Sequence, residues 1–239
     1  MAKTKSLTQR VAALDWRALG EALERDGFAV TAPLLTAEEC KALIAHYGDA
    51  GRFRSRIVMQ RQGYGAGEYQ YFGYPLPRPV ATLRRALYAR LAPVANRWAA
   101  ALGDAQRYPA RLDDYLARCH QAGQQRPTPL MLRYRAGDYN RLHQDLYGAL
   151  AFPLQAAICL SRRAADFTGG EFLLVEQRPR MQLRGEAVAL DQGQMILFAN
   201  NQRPVQGSRG RYRVKHRHGV SRLHSGERYT LGLIFHDAA

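Results

Sequence analysis

Leu132-Arg133-Tyr134-Arg135-Ala136-Gly137-Asp138-Tyr139-Asn140-Arg141-Leu142-His143-Gln144-Asp145 is the stretch on which the reading of the fold turns. It gives a strand through Arg135, a turn at Gly137-Asp138, and then a run into His143-Gln144-Asp145. Side chains two apart on a strand point to one face, so the imidazole and the carboxylate flanking Gln144 can reach the same ion. A third ligand must then come from another strand. Two imidazoles and one carboxylate on one face of an octahedral ion leave positions open, which suits an Fe(II) that binds a co-substrate and oxygen together. H-x-D alone is a weak motif. Order along the chain gives it weight: Gly169-Gly170-Glu171-Phe172 follows, then Gly193-Gln194-Met195-Ile196-Leu197-Phe198, His218-Gly219-Val220-Ser221-Arg222, and Gly226-Glu227-Arg228-Tyr229-Thr230.

Outward from that stretch, the second half reads as short strands at 130–134, 156–160, 171–175, 194–198 and 229–235, bounded by Gly, Asp and Asn turns. Many short strands at fairly even spacing predict a jelly-roll type barrel. The first half reads as mainly helical. A short strand at Gly27–Val30 ends before Pro33, and Thr36-Ala37-Glu38-Glu39 matches a capping box that starts a helix running to about Tyr47. Val80, Leu83, Leu87, Leu91, Val94 and Trp98 recur at helical spacing, and a further helix fits Leu112 to about Gln121. Residues 52–79 are rich in Gly, Tyr and Arg without a clear period and read as loops and short strands. The expected class is α+β in a single domain, 1–239, with helical support over 1–127 and the β core over 128–239.

The chain has 239 residues, enough to bury a sizeable core. Cys40, Cys119 and Cys159 are odd in number and far apart, which suggests neither a disulfide framework nor a zinc module. With Lys3 and Lys5 but no apolar run near the N-terminus, and no stretch near the roughly 18 apolar residues of a span, the expectation is a soluble, unprocessed cytoplasmic protein. Thirty-five Lys and Arg against 20 Asp and Glu give a net charge of +15, which favours polyanionic partners such as nucleic acid. Six of the basic residues (Arg203, Arg209, Arg211, Arg213, Lys215 and Arg217) fall between 203 and 217 with no acid among them, directly before His218. Solubility and genome composition are the plainer explanation of such charge.

From Tyr134 through H-x-D to a distal His and an Arg ten residues after it, residues 128 to 238 resemble the 2-oxoglutarate- and Fe(II)-dependent dioxygenase superfamily. The resemblance implies a double-stranded β-helix of jelly-roll or cupin-like form backed by the N-terminal helices. It implies Fe(II), 2-oxoglutarate and O2 as the reactive set, with His143, Asp145 and His218 as iron ligands. Arg228 would bind the distal carboxylate of 2-oxoglutarate, a task for which a planar guanidinium is suited and lysine is not. Thr230, two residues on, and Tyr134, nine residues before His143, would add hydroxyls to the same co-substrate. His216 shares a strand face with His218 and is the alternative distal ligand, whereas His224 would point outward from the barrel end. His46, His120 and His236 read as surface or hydrogen-bonded structural residues.

A closer resemblance covers nearly the whole chain. Phe53-Arg54-Ser55, Gly67-Glu68-Tyr69-Gln70-Tyr71-Phe72, Tyr74-Pro75-Leu76-Pro77, Arg126-Pro127-Thr128-Pro129, Asp138-Tyr139-Asn140, Glu176-Gln177-Arg178-Pro179-Arg180-Met181 and Arg217-His218-Gly219-Val220-Ser221-Arg222 look like a bacterial oxygenase family described as acting on alkylation-damaged DNA. The implied reaction is oxidative dealkylation: 2-oxoglutarate is decarboxylated to succinate, an N-alkyl carbon is hydroxylated, and the hemiaminal releases an aldehyde. Tyr64, Tyr69, Tyr71, Phe72 and Tyr74, interleaved with Arg52, Arg54, Arg56 and Arg61, offer stacking and phosphate contacts for such a substrate, with Tyr69, Tyr71 and Arg54 as the candidates. The alternative is that these aromatics pack the barrel. A loop before the distal histidine, carrying the basic run, is expected near the mouth of the site. Two rivals stand beside this reading: a protein (prolyl-type) or small-molecule hydroxylase of the same superfamily, and a non-catalytic nucleic-acid-binding barrel. The sequence leaves the oligomeric state open.

Overall fold

The computed structural model describes residues 5–208 and 210–239. Arg209 of the basic run and residues 1–4, with Lys3, lie outside them. The helices are α1 (Leu7–Ala12), α2 (Trp16–Asp26), α3 (Ala37–Ala45), α4 (Met59–Gln62), α5 (Arg78–Ala101) and α6 (Leu112–Gln121). The strands are β1 (Phe28–Val30), β2 (Phe53–Val58), β3 (Gly65–Ala66), β4 (Glu68–Phe72), β5 (Leu130–Arg135), β6 (Tyr139–His143), β7 (Leu154–Cys159), β8 (Phe167–Gly169), β9 (Phe172–Gln177), β10 (Arg184–Val188), β11 (Met195–Ala199), β12 (Gln202–Gly207), β13 (Gly210–Val220) and β14 (Leu223–Leu233).

Two antiparallel sheets face each other. The larger has the order β1-β11-β7-β14-β5-β4-β2 with β8 beside β14, and the smaller β10-β9-β13-β6-β3 with β12 beside β13. This is the α+β double-stranded β-helix, with the helices packed on the outer face of the larger sheet. A period of two divides its strands between two cores. Met131, Ile158, Leu197, Leu231 and Leu233 pack outward with Leu83, Leu87, Leu91 and Trp98 of α5. Tyr134, Ala157, Cys159, Ile196 and Phe198 turn inward to meet Phe172, Leu174 and Val220 of the smaller sheet. Strands buried on both faces read as continuous apolar runs, which explains how β7 and β11 stood out in the sequence.

The predicted capping box closes as expected. Glu39 N–H donates to Thr36 Oγ1 at 3.3 Å, Thr36 N–H donates to Glu39 Oε2 at 2.9 Å, and Arg10 of α1 forks onto the same carboxylate. Gly27 ends α2 at φ 81°, and a Cβ there would stand 2.6 Å from the His216 ring, so the turn into β1 requires glycine.

Residues 52–79, read as loops and short strands, are more regular than that. β2 and β4 pair and extend the larger sheet beyond β5, with Tyr69 opposite Leu132 and Tyr71 opposite Leu130. Alternation was masked because both faces carry polar or aromatic groups. β14 begins at Leu223 rather than near 229; His224-Ser225-Gly226 runs along β8, Glu227 starts the pairing with β5, and none of the four gives an apolar signal. The basic run is likewise corrected. It is a β12–β13 hairpin, not a loop at the mouth, and Arg203 is fully buried beneath it.

The C-terminal segment is fixed by polar bonds in the core. Arg84 on α5 donates to Asp237 Oδ1 at 2.8 Å and to the Ile234 carbonyl at 2.9 Å, and His120 meets Asp237 Oδ2 at 2.9 Å. His236 has no exposure, and its Nδ1 accepts the Phe152 N–H at 3.1 Å. Burial, with Arg84 nearby and against the pull of Asp145, lowers its pKa from 6.5 to about 4. A folded pKa below the unfolded one means stability that is full above about pH 6.5 and is lost as pH falls toward 4, on the order of 3 kcal/mol. In denaturant titrations between pH 7.5 and 4.5, His236→Asn is expected to lose less stability than the wild type. Equal losses would assign the acid sensitivity to other groups.

Candidate metal centre and its cavity

A cavity of about 390 Å³ lies between the sheets. At one end β6 and β13 run side by side with His143 directly opposite His218. Their rings are 4.3 Å apart, His143 Nε2 is 3.6 Å from Asp145 Oδ1, and His218 Nε2 is 3.3 Å from Asp145 Oδ2. One ligand atom from each residue lies within 4.8 Å of the others, so the trio is able to hold one metal ion. β6 ends at His143, so the strand expected through H-x-D stops short of Asp145; the turn after β6 brings its carboxylate to the two rings, and β13 supplies His218.

Each member is held from behind. His143 Nδ1–H donates to the Arg141 carbonyl at 2.7 Å, which turns the Nε2 lone pair toward the other ligands. His218 stacks on Phe172, with ring planes 6° apart, and lies against Phe198. Asp145 accepts the Tyr147 hydroxyl at 2.6 Å on Oδ1, and Tyr71 donates to Tyr147 at 2.9 Å. The Asn200 side chain brackets the Asp145 backbone, accepting its N–H at 2.9 Å and donating to its carbonyl at 2.6 Å. Burial alone would raise the Asp145 carboxyl; the His218 and His143 rings and the Tyr147 hydroxyl outweigh it and hold the group well below the usual carboxylate range. Burial and the neighbouring His143 lower His218, so its ring is available as a neutral ligand.

On the inner face of the larger sheet stand Tyr134, opposite Arg228 in the β5–β14 register, and Thr230 two residues on. Among the described residues three arginines are fully buried: Arg84, Arg203 and Arg228. Arg84 pairs with Asp237 and Arg203 with Glu176. Arg228 pairs with no carboxylate among the described residues, and its Nε and Nη1 have no hydrogen-bond partner. Leaving a guanidinium buried without an anion costs several kcal/mol. Tyr134 Oη, Thr230 Oγ1 and Gln155 Nε2 are buried and unpartnered as well, and all three residues line the cavity. Native interiors contain few such atoms, so a cluster of them fits an absent polar ligand.

The other candidates divide. Tyr69 and Tyr71 form a wall of the cavity and Tyr64, half exposed, stands at its mouth. Arg54 does not reach it. Its guanidinium lies 4.5 Å above the outer side of the Tyr71 ring and donates to the Pro127 carbonyl. Phe72 packs in the helical core, and Tyr74 donates to Asp237. His216 is turned into a separate cluster, accepting Arg203 Nε–H at 2.9 Å, and does not join the trio; His224 is exposed. The sequence reading missed Tyr147, Asn200 and Gln155. Tyr147 continues the period of two from His143 and Asp145 and was findable on that ground. Asn200 and Gln155 leave no local trace, since their roles depend on partners far along the chain.

A family model described as "Oxygenase, catalysing oxidative methylation of damaged DNA" matches residues 67–238. The chain belongs to this oxygenase family. It is 56% identical over 189 residues to an uncharacterised Mycobacterium tuberculosis protein, covering 79% of this chain and 78% of that one. Among solved structures it is similar to a Pseudomonas putida prolyl-4-hydroxylase (TM-score 0.50, 16% identity, 94% of this chain and 99% of that one). It is also similar to a Trichoplax adhaerens prolyl hydroxylase in complex with a hypoxia-inducible-factor peptide (TM-score 0.54, 13% identity, 97% and 93%). A Burkholderia pseudomallei oxidoreductase of the 2-oxoglutarate-Fe(II) oxygenase family shares the fold too (TM-score 0.50, 15% identity, 100% and 95%). The oxygenase is thus built on the 2-oxoglutarate- and Fe(II)-dependent fold, whose members use Fe(II), 2-oxoglutarate and O2. Among the described residues no helix is long and apolar enough to cross a membrane, and the three cysteines are buried and free.

Removing the hydroxyl that holds Asp145 is expected to loosen the trio. Tyr147→Phe should weaken divalent-metal binding about 10–100-fold, the usual effect of an outer-shell partner. Titration of the metal-free protein with Co(II), followed by its visible absorption, measures this; unchanged affinity would show that Asp145 holds its position without Tyr147.

Proposed function

We propose that this oxygenase removes alkyl groups from damaged nucleic acid, with His143, Asp145 and His218 holding Fe(II) and Arg228, Tyr134 and Thr230 holding 2-oxoglutarate. The observation that carries the reading is the uncompensated Arg228 guanidinium, buried on the same inner face as the unpartnered Tyr134 and Thr230 hydroxyls and within the sandwich that also holds the ligand trio. A dicarboxylate answers both needs. One carboxylate neutralises Arg228 through a two-pronged, charge-assisted contact, and the opposite, 2-oxo end is left for the metal. The donor set of two imidazoles and one carboxylate fits Fe(II) with open positions. When bound, Fe(II) with 2-oxoglutarate and O2 supplies the oxidising chemistry, in which the co-substrate is converted to succinate and CO2 and a substrate carbon is hydroxylated.

The chain's own residues do the positioning. Arg228 and Thr230 fix the depth at which the co-substrate sits. Tyr134, whose hydroxyl burial holds above its ordinary pKa, stays protonated and donates. Phe172 and Phe198 pack against His218 and keep water from that side of the centre. Tyr69, whose pKa burial raises to about 12, and Tyr71 present neutral aromatic surface to an incoming substrate. The family description speaks of methylation, and the direction we assign is removal: a hydroxylated N-alkyl carbon is a hemiaminal, which breaks down to the amine and an aldehyde. Support for nucleic acid comes from the family, from the net charge of +15, and from the tyrosine wall and mouth, which suit a flat base.

The test is coupled turnover. Iron-loaded protein with 2-oxoglutarate is offered methylated oligonucleotides, methylated nucleosides and proline-rich peptides. Succinate release matched to loss of the methyl group from oligonucleotides supports the proposal; coupling to a peptide instead would overturn the substrate class. Asp145→Ala is expected to abolish succinate formation, and undiminished production would remove the assignment of the metal. Tyr64→Ala should raise KM for the methylated oligonucleotide about tenfold, the effect of losing one base–aromatic stack, and leave 2-oxoglutarate affinity unchanged.

A further inference from the structure

β13 has two faces of opposite character. Val214, His216 and His218 point inward and are buried, whereas Arg211, Arg213, Lys215 and Arg217 are exposed on the outer face of the smaller sheet. Arg213 is tied to Asp104. Arg211, Lys215 and Arg217 have no carboxylate partner among the described residues. Their cross-strand neighbours on that face are uncharged: Gln206 opposite Arg211, Gln177 and Gln202 opposite Lys215, and Val175 opposite Arg217. The nearest strand carboxylate, Glu176, is opposite His216 and therefore turned inward, where it pairs with Arg203 and Arg178. The helices cover the other sheet, so this face is open.

Same-face residues on a strand recur about every 7 Å, and the stripe from Arg211 to Arg217 spans about 20 Å. That repeat is close to the separation of successive phosphates in an extended single strand. The stripe ends one residue before His218. Across the sheet, Arg141 is exposed at the mouth of the cavity without an ion pair among the described residues, and its N–H donates to the Tyr64 carbonyl at 2.8 Å. We propose that the outer face of β13 is a track for the phosphates of a single nucleic-acid strand, which delivers a base past Arg141 and Tyr64 into the cavity. This rests on the oxygenase reading above and adds the form of the substrate and its path. A single strand suits a recessed site because no base need be pulled from a duplex.

The experiment compares two triple variants of the iron- and 2-oxoglutarate-loaded protein under anaerobic conditions. One is Arg211→Gln/Lys215→Gln/Arg217→Gln. The other, Lys41→Gln/Arg78→Gln/Arg90→Gln, removes the same charge from exposed positions in the helical half. Binding of a labelled 15-nucleotide oligothymidine is read by fluorescence anisotropy across salt concentrations. The β13 variant is expected to bind at least about tenfold more weakly at 0.1 M salt, with the salt slope smaller by about 2, as three lost phosphate contacts require. The helical variant should bind like the wild type. Equal weakening in both variants, or wild-type binding by the β13 variant, overturns the track. So does polyglutamate that displaces the oligonucleotide as well as unlabelled oligothymidine does, because the face would then be one for acidic peptides. Substrate-independent conversion of 2-oxoglutarate to succinate is measured separately in air-saturated buffer, which supplies the O2 it consumes, and should be unchanged in both variants. Its absence from the wild type would count against the oxygenase reading, whereas intact conversion with indifferent binding would count against the track alone.

Discussion

A buried guanidinium without an anion is the constraint around which the inner face of this protein is arranged. Arg228 sits at 1% exposure in the centre of the larger sheet, where an unpaired charge costs several kcal/mol. The chain shows elsewhere how it neutralises buried arginines, with Asp237 for Arg84 and Glu176 for Arg203. On the same inner face as Arg228 it places the Tyr134 and Thr230 hydroxyls instead, and these line the cavity. The protein alone therefore leaves this charge without an anion among the described residues, and on the proposed reading a dicarboxylate would supply it. The same ligand would turn its other end to the metal. Affinity for the co-substrate and the charge balance of the core would then be one property.

The metal end follows a different logic. Three ligands from two strands and the turn after β6 must converge within a few ångströms, and sheet pairing alone fixes only His143 against His218. Asp145 lies past the end of β6, where no ladder bond sets its position. Asn200 fixes its backbone and Tyr147 its carboxylate, so side chains do there what strand pairing does for the histidines. Tyr71 stands behind Tyr147 and also forms part of the cavity wall. Anything that displaces this wall is transmitted to the metal ligand through two hydroxyls.

Much of this was legible in the sequence, for identifiable reasons. Helices α3, α5 and α6 were visible because a capping box and 3.6-residue periodicity are local. β7 and β11 were visible because burial on both faces makes a strand uniformly apolar. His143 and Asp145 were legible as a pair from their separation of two, although Asp145 lies past the end of β6, and His218 and Arg228 were legible from the order of motifs that the family resemblance supplies. What was hidden depends on partners distant along the chain. β2 and β4 have no apolar alternation, and only pairing with β5 makes them part of the sheet. The run from Arg203 to Arg217 read as one basic segment, yet a period of two buries Arg203 and exposes Arg211, Lys215 and Arg217. Charge counting could not separate a core ion pair from a surface stripe.

On the proposed reading Arg228 is held uncompensated for the distal carboxylate of 2-oxoglutarate. Calorimetric titration under anaerobic conditions with 2-oxoglutarate and with 2-oxobutyrate, which lacks that carboxylate, tests it in the metal-loaded wild type and in Arg228→Met. In the wild type the carboxylate should strengthen binding about 100-fold, as two charge-assisted bonds imply. In Arg228→Met the two ligands should bind alike, and the ligand-free variant should be at least as stable as the wild type because a buried unpaired charge has been removed. An Arg228→Met protein that keeps the preference for 2-oxoglutarate, or a wild type that shows none, would contradict the account.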